Sequence, residues 1–139
     1  MSEGRVRSAS PFEALYGFSR AVRAGDRILV AGTAPVEPDG SSTPGGSYEQ
    51  ARRCCAIIRA AIAELGGGRV VRTRVFITDP ADADAIGRAH AEAFGADAPV
   101  ATMVVVAALL RPEWRVEIEA EALTGQDNDS TGTGVSGPA

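Results

Sequence analysis

Residues 100–109, VATMVVVAAL, are apolar at every position but Thr102. The run falls well short of the ~18 apolar residues that a membrane span needs, so it reads as a strand. A strand with one face in water alternates polar and apolar residues, whereas an unbroken apolar strand is covered on both faces. Residues 28–31, ILVA, make the same demand. Whatever fold the chain adopts must cover both sides of these strands, and the remaining segments limit what is available to do so.

Two segments have helical periodicity. In SYEQARRCCAIIRAAIAEL, residues 47–65, Ala51, Cys54, Cys55, Ile58, Ile62 and Leu65 follow the spacing of one buried stripe. Ser47 with Gln50 three residues on predicts a capping box at its start, and Gly66-Gly67-Gly68 predicts its end. Asp79-Pro80 predicts a second helix, with Asp as N-cap and Pro at N1. Ile86, His90, Ala93 and Phe94 lie along its inner side, and Gly95 ends it.

The strands are legible by alternation and turn chemistry. FSRAVRAGDRILVAG reads as a hairpin turning at Ala24-Gly25-Asp26. RVVRTRVFIT, residues 69–78, places Val71, Thr73, Val75 and Ile77 on one face and Arg72, Arg74, Phe76 and Thr78 on the other. Residues 114–123 form the last strand, and residues 35–46, PVEPDGSSTPGG, form a loop. A flexible N-terminus (1–10), one domain (11–124) and a disordered tail (125–139) are expected. The order β-β-α-β-α-β-β describes an α+β domain: one mixed sheet with two helices on one face. Two helices leave the other face bare. A second subunit is the expected cover, because apolar patches of that size are unusual on monomers, and ligand pockets often form at such seams.

RVEIEAEAL, residues 115–123, aligns Glu117, Glu119 and Glu121 on one face. Either all three are solvated or ion-paired, or one is recruited for chemistry; periodicity alone favours the first. Arg72 and Arg74 are expected to pair with glutamates of this last strand. The single histidine, His90, is expected to be hydrogen-bonded and packed at the helix–sheet boundary. Cys54 and Cys55 are adjacent, about 3.8 Å apart at Cα and closer than a disulfide prefers, so they read as core thiols in a reducing cytoplasm. Gly32 predicts close backbone packing, and Trp114 an anchor for the last strand. A net charge of −4 argues against nucleic acid as a partner. No apolar stretch suits a membrane span or a secretory signal. Neither CxxC nor HxxxH occurs, so no metal is expected.

Four stretches in register, SRAVRAGDRILVAGTAPV, YEQARRCCAII, VVRTRVFITDPAD and APVATMVVVAALLRPEWRVEIEAEAL, resemble the Rid family of reactive intermediate deaminases. These YjgF-like proteins were formerly called endoribonuclease L-PSP. The resemblance implies a chorismate-mutase-like fold and a homotrimer whose sheets surround a central barrel, with a cleft at each subunit boundary. It also implies hydrolysis of small enamines and imines to a 2-oxo acid and ammonia, without metal or organic cofactor. The family's acid falls at Glu117, where it would orient the attacking water and shuttle a proton. Its first-strand aromatic falls at Phe18, and its Ser-Gly pair at Ala31-Gly32, followed by Thr33. The arginine that grips a substrate carboxylate falls at Ala101, and the cysteine two residues on falls at Met103.

Loss of that arginine removes charge-assisted hydrogen bonds worth about 1.5–3 kcal/mol. Weak activity on 2-iminopropanoate follows, unless Arg20, Arg74, Arg88 or Arg111 reaches in. Two functions remain open: an imine or enamine hydrolase of altered substrate range, and a non-catalytic small-molecule binder, such as one serving a specialised biosynthetic pathway. Ribonuclease activity is disfavoured by the acidic charge and the lack of a histidine pair.

Overall fold

The structure, a computed structural model, describes residues 3–8 and 10–125. Six strands form one sheet: β1 (Glu3–Val6), β2 (Ala21–Ala24), β3 (Arg27–Thr33), β4 (Arg69–Ile77), β5 (Val100–Val105) and β6 (Val116–Leu123). Their spatial order is β1-β2-β3-β6-β4-β5. All neighbours are antiparallel except β4 and β5, which run parallel. A parallel pair needs a crossover, and helix α3 (Ala83–Phe94) supplies it. With α2 (Ser47–Glu64), α3 forms the layer on one face of the sheet. The α+β class, the mixed sheet and the two covering helices agree with the sequence reading.

The core lies between these layers. Ala51, Cys54, Cys55, Ile58, Ala61 and Ile62 of α2 and Ile86, Ala89 and Phe94 of α3 meet Ile28, Val30, Val75, Ile77, Val116, Ile118, Ala120 and Ala122 of the sheet. The predicted α2 stripe is thus the buried one. No helix of the described residues is long and apolar enough to cross a membrane.

Several local expectations are corrected. The N-terminal residues are not wholly loose, because Glu3–Val6 pairs along β2 as the sheet's edge strand. Ladder hydrogen bonds use the backbone and leave little trace in composition, and Val6, 7% exposed, is the strand's contribution to the core. A short helix, α1 (Pro11–Tyr16), follows, capped by the Ser10 side chain, which accepts from Phe12 N–H. The N-cap of α2 is Gly46, not Ser47, and Glu49 accepts from the Gly46 N–H at 2.9 Å. Gln50 is unavailable for capping: its amide donates to Glu113 O and accepts from Arg115 N–H, pinning the entry to β6. Asp79 caps a 3₁₀ turn, Pro80–Asp82, that leads into α3. On β4 a bulge between Val70 and Arg72 buries Val70 in place of Val71; an extra residue flips the side-chain phase. The apolar run from residue 100 pairs only to Val105, because β4 ends opposite it at Ile77. It forms an edge strand with all six residues exposed. Of the expected tail, 125–139, residues 126–139 lie outside the described residues.

The three glycines after α2 have different tasks. Gly66 and Gly67 adopt positive φ of 113° and 80°, ending the helix. Gly68 lets the start of β4 approach the end of β6: a Cβ there would lie 2.5 Å from the Leu123 carbonyl oxygen. Backbone cannot rotate away as a side chain can. Gly68→Ala is therefore expected to destabilise by about 1–3 kcal/mol, read as a lower denaturant midpoint with unchanged slope.

Candidate active site

The helix-free face of the sheet carries the glutamates of β6, and cross-strand register assigns each its neighbours. Glu121 lies opposite Arg72 and Leu29, Glu119 opposite Arg74, and Glu117 opposite Phe76. Two of the three are ion-paired as expected. Glu121 pairs with Arg27 and, at 3.2 Å, with Arg72; Glu119 pairs with Arg74 at 2.8 Å. Glu117 has no ion pair among the described residues and is half-buried. Three carboxylates in one alternating run thus acquire two different fates.

The difference comes from β3. A bulge between Val30 and Thr33 puts one extra residue opposite β6 and brings Gly32 against Glu117. A Cβ at Gly32 would stand 2.5 Å from Glu117 Oε2, so the close packing expected of this glycine is approach to the acid itself. The Arg20 guanidinium donates from Nη2 to the Gly32 carbonyl at 2.6 Å, while its Nε is buried with no partner among the described residues. Below, Cys54 is fully buried in α2. Burial pushes the Glu117 carboxyl above the ordinary range; Arg20 opposes this and Glu119 adds to it. A carboxyl so placed can hold and release a proton nearer neutrality than an exposed one. Burial likewise keeps the Cys54 thiol protonated and pushes Cys55 up to about 12.

A depression of about 550 Å³ opens on the same face, walled by Phe18, Leu29, Ala31, Arg5, Arg72 and Arg74. It reaches Glu119 and Glu121, stopping one row short of Glu117. Phe18 stands at its rim, 41% exposed.

The other expected site residues are distributed differently. Thr33 is a core residue with 0% exposure, its hydroxyl donating to Ala31 O at 2.7 Å; the bulge turns it toward the helix layer, so it cannot line a cleft. Ala101 and Met103 pair with Thr73 and Val75, whose side chains are buried on the helix side. They therefore share that face, across the sheet from Glu117. Within one chain, the family-matched residues form two groups on opposite faces.

Of the candidate arginines, only Arg20 adjoins Glu117. Arg74 is committed to Glu119. Arg88 stacks on Tyr48, 3.9 Å from its centroid. Arg111 lies over Trp114 at 4.9 Å and donates to Gly40 O and Ser42 Oγ. Trp114 also donates to Ser42 Oγ, fastening the loop to the approach to β6. His90 is a packed, hydrogen-bonded residue: Nε2 is 2.7 Å from Thr73 Oγ1, the ring meets Phe94 edge-on, and burial lowers its pKa. Sequence reasoning could not rank Arg20, because its neighbours come from β3 and β6 through a bulge that no local pattern marks. Among the described residues, no cluster of three or more His, Cys, Asp or Glu side chains is arranged to hold a metal ion.

Residues 8–124 match the family model described as Endoribonuclease L-PSP. An uncharacterised protein of Streptomyces coelicolor is 44% identical over 123 residues, covering 87% of this chain and 92% of that protein. Rv2704 of Mycobacterium tuberculosis, a member of the YjgF/YER057c/UK114 family, aligns with a TM-score of 0.79 at 41% identity, covering 88% of this chain and 100% of that one. Escherichia coli TdcF, crystallised with bound serine, aligns with a TM-score of 0.71 at 28% identity, over 87% of this chain and 94% of its own. With matching sequence and matching fold over nearly the whole length, the chain belongs to the Rid (YjgF/UK114) family, whose model bears the endoribonuclease L-PSP description.

Proposed function

We propose that the protein hydrolyses a small imine or enamine, with Glu117 as the acid/base, and that it acts in the cytoplasm as a homotrimer with its clefts at subunit boundaries. The observation that carries this reading is the state of Glu117. Of the three aligned glutamates, all half-buried, it alone is free of an ion pair among the described residues, and burial shifts it toward the protonated form.

In the reaction, the Glu117 carboxylate takes a proton from water as the water oxygen bonds to the protonated C=N carbon. The resulting carboxyl gives that proton to the amine nitrogen of the carbinolamine. The C–N bond then breaks as the C=O forms, and the hydroxyl proton passes through Glu117 to the departing ammonia, leaving Glu117 as the carboxylate that began the cycle. Water and iminium are consumed; carbonyl compound and ammonium are released. Protein acid and water suffice for each step.

The assembly has its own support. Ala101 and Met103 cannot approach Glu117 of their own chain, being on the other face, so a cleft using both groups takes them from two copies. The edge strand β5 exposes Val100, Val104 and Val105, and Leu110 beyond it is 92% exposed. Such an edge is rarely left open to water. Ala101 in place of a fork-like arginine favours substrates without a carboxylate. A binding role without catalysis is the second reading, favoured by the serine held by TdcF.

The test is direct. Uncharged imines, made in situ by amine oxidation, are expected to be hydrolysed faster with the protein present, and 2-iminopropanoate only weakly. Size-exclusion chromatography with light scattering is expected to give three times the subunit mass. Inertness toward the whole panel, with a small molecule raising the melting temperature, would replace the hydrolase with the binder; a monomer would remove the intersubunit cleft.

A further inference from the structure

We propose that Arg20 is a positioning residue that holds Gly32 in the β3 bulge and sets the charge state of Glu117 from inside the protein wall. The proposal rests on the reading of Glu117 as the working acid.

The Arg20 backbone is fixed from two sides. Its N–H donates to Val6 O of β1 at 2.8 Å, and its carbonyl accepts from Ala31 N–H of β3 at 3.0 Å. From that anchorage the side chain reaches the Gly32 carbonyl. Gly32 in turn has no room for a Cβ because Glu117 Oε2 occupies the place. Arginine, bulge and carboxylate are therefore mechanically coupled: displacement of one displaces the next.

The electrostatic arrangement points the same way. Arg20 lies under the influence of two carboxylates, Glu13 of α1 and Glu117 of β6. Glu13 is buried and held by the Ser8 N–H and hydroxyl. The groups acting on Glu117 are Arg20, which favours its charge, and Glu119 beside it on β6, which opposes it. Cys54 beneath, on α2, is a neutral thiol. Arg72 and Arg74 on β4 are engaged by Glu121 and Glu119. Arg20 is thus the one cation acting on Glu117 among the described residues. Its buried Nε, without a partner among the described residues, is a cost of a kind that folding alone gives no reason to keep.

The test titrates Glu117 itself, by carbon NMR of protein labelled at glutamate side-chain carboxyls, with Glu117→Gln identifying the signal. Arg20→Gln is expected to raise the Glu117 midpoint by about one pH unit or more, since a neighbouring opposite charge depresses a carboxylate by that order. Arg20→Lys is expected to restore most of the midpoint while still displacing the Gly32 amide resonance, because an ammonium keeps the charge but not the reach. With a substrate from the imine panel, Arg20→Gln should move the acid limb of the kcat profile to higher pH by the same interval. An unmoved midpoint in folded Arg20→Gln would overturn the proposal. Should that variant not fold, a Gly32 resonance unmoved in Arg20→Lys would overturn it instead. The titration needs no turnover, so an inert protein with a shifted midpoint would refute the hydrolase and spare Arg20, while an active one with an unmoved midpoint would do the reverse.

Discussion

Glu117→Gln is expected to slow imine hydrolysis about 10²–10⁴-fold, equivalent to about 3–5 kcal/mol of lost transition-state stabilisation. Glutamine preserves the volume beside Gly32 but cannot take the water proton or return one to the departing nitrogen. The same substitution is expected to stabilise the fold at neutral pH. Burial raises the folded-state pKa of Glu117 above its ordinary value, so ionisation destabilises the native state. That penalty is absent below the unfolded pKa of about 4.3, grows as pH rises through the window between the two values, and is complete above the folded one. The variant's advantage in melting temperature should therefore be present at pH 7 and vanish near pH 4. A slow but more stable Glu117→Gln would mark the strain of an active site. Unchanged turnover of the best imine would remove Glu117 from the chemistry.

Ala101→Arg is expected to accelerate hydrolysis of 2-iminopropanoate about 10- to 150-fold in kcat/KM, the equivalent of about 1.5–3 kcal/mol for a hydrogen bond to a charged group. An uncharged imine of similar size should gain nothing. Ala101 is exposed on the edge strand, so the larger side chain meets no packed neighbour in its own chain. In one chain, residue 101 and Glu117 belong to opposite faces, and the gain therefore requires the arginine of one copy to reach the acid of another. A trimeric Ala101→Arg variant with no selective gain would refute the composite cleft, whereas gain on both substrates alike would point to altered packing rather than carboxylate recognition.

The α2 stripe, the Gly-Asp turn between β2 and β3, the core role of the cysteines and the packed His90 were all readable in advance, because each depends on residues a few positions apart. The strand pattern of β6 was equally plain, and its buried residues are Val116, Ile118, Ala120 and Ala122, as alternation requires. Thr33 shows where such reading ends: adjacent in sequence to Gly32, it faces the opposite side of the sheet because of one inserted residue. Val71 lost its inward place to Val70 for the same reason. The edge strand β1 was missed because its pairing is made by backbone groups that every residue carries.

By itself the sequence determined the element types, the helix-covered face, the alternating carboxylates and the apolar surplus of β5, since all are set by local periodicity and composition. Only the tertiary structure decided which glutamate has no ion-pair partner among the described residues, that Arg20 stands beside it, and that Ala101 and Met103 lie across the sheet from it. Those outcomes depend on register and on bulges between strands distant in the chain, and register is settled by the packing of the whole sheet rather than by any one strand.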